Sequence, residues 1–120
     1  MIHIRNAEVA NVNLYESHII GLEWENEGRD IVLHVDWNGE EKYKDTVDFM
    51  LAKTKLVFEF ATHLRVHFEH DEHNQIGPIE MGEMVINKGE NEWLVQIEAR
   101  LEDTTIFALR CYSIHFYCED

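Results

Sequence analysis

The chain has 120 residues, with ten lysines and arginines against twenty-four aspartates and glutamates, and a formal net charge of −14. That length supports one domain spanning 1–120, and 45% apolar residues can bury roughly two-thirds of the unfolded surface, which argues against disorder. The acid excess excludes direct binding to nucleic acid or an anionic membrane, both of which require net positive fields.

The opening residues Met1 to Glu8 carry no apolar h-region and no small-residue cleavage site, so no secretory signal is expected. No apolar run approaches the ~20 residues of a membrane helix. The expected location is the cytoplasm.

Period-two alternation dominates from there. Ile20, Leu22 and Trp24 are in phase, as are Ile31, Leu33, Val35 and Trp37. Folding the two runs about Glu27-Gly28 predicts a hairpin that pairs Trp24 with Ile31, Leu22 with Leu33 and Ile20 with Val35 on one face. Tyr43, Val47, Phe49 and Leu51 predict a further strand, with a short helix from Thr46 as the alternative. From Leu56 to Phe68 the even positions are largely apolar. A straight strand of that length would run ~43 Å, so a turn or sharp bend is expected near Ala61-Thr62-His63.

Ile79 and Met81 fall out of phase with Met84 and Ile86 across Gly82, which predicts a bulge there. Trp93 to Leu101 is a strand that turns at Glu102-Asp103-Thr104 into Phe107 and Leu109. The phase then slips to Tyr112, Ile114 and Phe116, predicting a bulge or bend near Arg110-Cys111. The expected fold is all-β, or β-dominated α+β: an antiparallel meander of roughly seven to nine strands forming a sandwich or partly closed barrel.

Chemistry-bearing patterns are sparse. Cys111 and Cys118 lie seven positions apart in one extended segment. At ~3.3 Å per residue they would sit about 23 Å apart, beyond the ~7 Å reach of a disulfide, so reduced thiols are expected. Of eight histidines, His63, His67, His70 and His73 cluster, with Glu69, Asp71 and Glu72 among them. On a strand His63 and His67 stand ~13 Å apart, too far to share an ion, which leaves His70, Asp71 and His73 as the weak metal candidates. No cofactor is expected. Neither serine, Ser17 or Ser113, sits in a nucleophile elbow, and no glycine-rich phosphate loop is present. Enzymatic activity is not expected.

Trp24 and Trp93 belong to in-phase strands and are expected in the core. Trp37 ends a strand beside Asp36, Glu40 and Glu41, and an exposed tryptophan ringed by carboxylates would anchor a partner. With the outward Glu59 and Glu69, these residues form the candidate partner surface. Further carboxylates at outward positions, Glu23 and Glu98, extend an acidic sheet face suited to steering a basic protein. The alternative is a small ligand-binding or enzymatic barrel with a cleft lined by Trp37, His34 and Tyr43, or a metal-binding module at His70 and His73. A monomer or an edge-paired homodimer is compatible with exposed strand edges.

Four segments, Leu14–Ile20, Asp30–Trp37, Leu56–Val66 and Leu109–Phe116, resemble a group of small bacterial β-proteins. Some members act as immunity proteins in polymorphic-toxin systems. Where the group's opening motif often reads His-Asp-Ser, this chain has Tyr15-Glu16-Ser17, so a role tied to that histidine does not carry over. The resemblance implies a non-enzymatic, intracellular role, neutralising a basic toxin or binding another protein.

Overall fold

A computed structural model describes residues 1–67 and 79–120. The described residues form nine strands: β1 (Ile2–Arg5), β2 (His18–Glu25), β3 (Asp30–Asp36), β4 (Lys53–Glu59), β5 (Thr62–Val66), β6 (Ile79–Lys88), β7 (Trp93–Ala99), β8 (Thr105–Cys111) and β9 (Ser113–Glu119). Short 3-10 turns occupy Asn6–Asn11 and Glu41–Tyr43. All strand pairs are antiparallel, in one sheet of order β1-β9-β4-β3-β2-β6-β7-β8-β5 that does not close into a barrel. The all-β reading holds. The meander is confined to β2-β3-β4 and β6-β7-β8, because β9 inserts between β1 and β4.

Among the described residues, two halves of this sheet pair as strands at His18↔Glu80 and Ile19↔Ile79, extended by backbone hydrogen bonds of Met81 with Glu16 and Ser17. They pack face to face, with Phe58 of β4 against Phe107 of β8 at a ring separation of 5.5 Å. Both rings are fully buried, along with Leu33, Leu56, Met81, Ile97, Ile114 and Phe116. Residues on the inner face therefore exclude water, and their burial is the main favourable term in folding.

The chain passes between the halves twice. Phe60 and Ala61 turn β4 into β5, and Tyr112 turns β8 into β9. The two corners lie side by side, since the Tyr112 N–H donates to the Glu59 carbonyl at 2.9 Å. The bend expected near Ala61 is present. The one expected at Arg110-Cys111 falls at Tyr112, whose side chain leaves the core set.

The β2–β3 hairpin keeps Trp24↔Ile31 and Leu22↔Leu33, but a bulge between Ile19 and Gly21 replaces Ile20↔Val35 with Ile19↔Val35. Ile20 is consequently exposed and Ile19 buried. The Gly82 bulge appears as a register shift between Met81 and Met84. A β-carbon at Gly82 would stand 2.7 Å from the Ala99 carbonyl oxygen, so only glycine lets β6 approach β7 there.

Residues 43–51 form neither strand nor α-helix, but turns laid over the end of the sheet. Their apolar side chains do not alternate between two faces. Val47 is buried, Phe49 rests on Trp37 and Met50 stands 94% exposed. Cys111 and Cys118 are free and buried in separate strands, and burial with Glu92 nearby pushes the Cys111 thiol up to about 12.

Candidate partner-binding surface

Along β3 the odd residues Ile31, Leu33 and Val35 join the core; on the other face Asp30 and Val32 are also buried, His34 is half-buried and Asp36 is exposed. Trp37 continues the odd set and is only 6% exposed. Its indole N–H donates to the Asn13 carbonyl at 2.9 Å, and its ring meets Phe49 and Phe116 edge-on. The exposed-anchor expectation for Trp37 is thus overturned: its neighbours Tyr43 and Phe49, supplied by the 38–52 loop, cover it. The cleft proposed between Trp37, His34 and Tyr43 does not form either, because His34 lies on the opposite, outer face and bonds Glu23 at 2.6 Å.

Asp36, Glu40 and Glu41 follow β3 along the chain at this end of the strand. Asp36 is exposed. Glu40 accepts the Asn13 N–H at 2.5 Å, and Glu41 pairs with Lys44 at 2.5 Å. Glu59 sits at the other end of the sheet. Glu69, His70, Asp71 and His73 lie outside the described residues. Among the described residues no group of three His, Cys, Asp or Glu side chains could hold a metal ion.

The outer face of β1, β9, β4 and β3 is less acidic than alternation suggests. Asp36, Glu59 and Glu119, with Glu23 of the adjacent β2, share it with Arg5, Lys53, Lys55 and three histidines, His3, His34 and His115. A network crosses three of these strands. His115, 6% exposed, donates from Nε2 to Glu59 Oε1, and Ser113 Oγ donates to the same oxygen at 2.7 Å. On its other side His115 Nδ1 faces His3 Nε2 at 2.9 Å, and His3 stacks on Tyr117 at 4.3 Å.

Serine activation requires the acid and the serine on opposite ring nitrogens. Here both share Nε2, so Ser113 is tied to Glu59 and is not presented as a nucleophile. The two nitrogens of His115 face partners on opposite sides, so the group cannot converge on one cation. What the arrangement does is pin β1 to β9 and β4 through side chains as well as backbone.

Partial burial, helped by His115 and Arg5, holds the His3 imidazole below its ordinary value of 6.5. The Ser113 hydrogen bond, opposed by desolvation and reinforced by His115, holds the Glu59 carboxyl below its ordinary 4.5. Both groups bind protons more readily in the unfolded chain. Their stabilisation is complete above those values and is lost on acidification, first as pH falls below 6.5 and again below 4.5. Urea midpoints measured from neutral pH downward should fall in the first window for the native protein and less for His3→Gln. Equal decline in both proteins would remove His3 from the account.

The feature that alternation misassigned is at the corner end. Trp24, Phe60 and Tyr112, all in runs that read as core, are 56%, 56% and 68% exposed. Trp24 lies against the β2–β3 turn, where a β-carbon on Gly28 would meet its Cδ1 at 3.9 Å. Phe60 and Tyr112 contact edge-on at 6.2 Å, and the Arg29 guanidinium stands 6.0 Å over Phe60. Phe60 has φ +51, a left-handed conformation that is strained for an aromatic residue. Asp30 Oδ1 accepts the Phe60 N–H at 3.1 Å, while Oδ2 accepts from Asn26, so one buried carboxylate braces both the turn and the corner. A positive φ at Phe60 is not readable from a period-two pattern, which assigns it inward.

Compared with known protein families, characterised proteins and solved structures, the chain finds no match. No helix among the described residues is long and apolar enough to cross a membrane.

Proposed function

We propose that this is a non-enzymatic binding protein that captures a basic protein partner, in the manner of an immunity protein that neutralises a toxin. The carrying observation is how a charge of −14 is distributed. On the outer face of β1, β9 and β4 three cations, Arg5, Lys53 and Lys55, offset Glu59 and Glu119, so the acid excess lies on the rest of the chain. Such a field steers a basic protein and orients its approach. A short-range network that buries Ser113 and His115 without activating either is consistent with a scaffold role.

Co-expression with the product of the adjacent upstream gene tests this reading. A complex and restored growth are expected; no complex and no rescue would overturn the toxin version. The eight histidines make the charge titratable, from −14 toward −6 when all are protonated. Affinity for the partner should therefore weaken between about pH 7 and 5.5 at fixed salt. An affinity flat across that range would count against electrostatic steering.

A further inference from the structure

Resting on that reading, we infer that the ledge built by Trp24, Arg29, Phe60 and Tyr112 is the docking surface, and that it receives an arginine-bearing segment of a basic protein. The three rings are more than half exposed at one end of the fold. Exposed aromatic clusters of this kind mark interaction sites, and Trp, Tyr and Arg are the residues that dominate binding energy. The fold also accepts a strained backbone to keep Phe60 outside. Asp30, 6% exposed, is committed to holding that corner.

The charge around the rings selects the occupant. Glu25 and Glu27 come from the β2–β3 turn. The β6–β7 turn brings Glu90 and Glu92 to the same end, because Trp93 pairs with Cys111, the neighbour of Tyr112. The cations nearby are already engaged: Arg29 over Phe60, Arg110 with Glu92 at 3.5 Å and Lys88 over Trp93 at 4.6 Å. Among the described residues no cation covers the Trp24 or Tyr112 ring. Arg29 on Phe60 is the internal example of what those two rings lack: a guanidinium on an aromatic face, attracted by the ring quadrupole and by surrounding carboxylates.

The test uses the full chain and a fluorescent octa-arginine peptide, followed by anisotropy at fixed ionic strength. The variant Trp24→Thr/Phe60→Asn/Tyr112→Thr keeps the net charge. Asparagine tolerates the left-handed φ and retains the backbone N–H that Asp30 accepts. It should bind at least tenfold more weakly than the native chain. The comparison variant Asp36→Asn/Glu41→Gln removes two charges at the opposite end and should lose less. Thermal unfolding confirms that each variant is folded. As a second readout, the Trp24 indole N–H resonance of the native chain should shift on titration while that of buried Trp37 stays in place. Native binding with an unchanged ledge variant and a still Trp24 resonance would overturn the ledge and leave the basic-partner reading standing. No octa-arginine binding by the native chain, even at low salt, would overturn both.

Discussion

Phe58→Ala is expected to lower the unfolding free energy by about 3–5 kcal/mol. Phe58 is fully buried on β4, and its ring packs on Phe107 of β8 at 5.5 Å, tilted by 37°. These rings belong to opposite halves of the sheet, which share only two register pairs between β2 and β6. Strand pairing between the halves is short, so apolar contact across the interior adds much of their cohesion. Deleting the ring removes its transfer free energy and leaves a cavity that two stiff half-sheets cannot collapse to fill. Small domains have about 5–15 kcal/mol in total, so the variant should unfold at markedly lower urea with an unchanged slope. A loss below about 1 kcal/mol would mean that the halves do not cohere through this pair.

Trp37→Ala should cost a similar amount, about 3–5 kcal/mol, and its consequence is different. The indole contacts Tyr43 and Phe49 of the 38–52 loop and Phe116 of β9, so its removal frees the loop from the sheet. Gly39 belongs to the same arrangement. Its φ is +82, and a β-carbon there would stand 2.5 Å from the Phe49 ring. Trp37→Phe retains the ring but orphans the Asn13 carbonyl, at a cost of about 1–3 kcal/mol. Because Trp37 is buried, Trp37→Phe should leave affinity for a basic partner unchanged while lowering stability. Unaltered stability with a tenfold loss of affinity would return Trp37 to the role of an exposed anchor.

How much was legible depends on which physical signal each feature uses. Hairpin pairing at Trp24↔Ile31 and Leu22↔Leu33 follows from alternation, since a one-residue slip would turn every apolar side chain outward. The Gly82 bulge was visible as a phase break beside a residue without a β-carbon. The corner after β4 was visible because a thirteen-residue strand does not fit a domain of this size. The bulge near Ile20 left no such mark, and Ile19 and Ile20 are equally apolar neighbours. Nor did the 43–51 segment, where a period-two pattern arises from turns whose side chains pack on Trp37.

The candidate site was the less legible part. Asp36, Glu40 and Glu41 were grouped because they are neighbours in sequence. The ledge was not found, since Trp24, Phe60 and Tyr112 come from three separated segments and each looks like core in its own run. Their exposure is decided by what stands opposite. Trp24 stands beside Gly28 at the turn end of β2, Phe60 has a positive φ, and Tyr112 occupies the corner between β8 and β9.

By itself the amino-acid sequence determined an acidic all-β chain and most of its strands. These follow from composition and from local periodicity, which need no knowledge of distant neighbours. The tertiary structure alone decided that the sheet is continuous and open, that Trp37 is interior, and that three aromatic residues are outside. Burial depends on pairing between segments far apart in the chain, and no local pattern encodes it. The −14 charge is readable from composition alone, whereas the exposure of Trp24, Phe60 and Tyr112 is decided by the two corners.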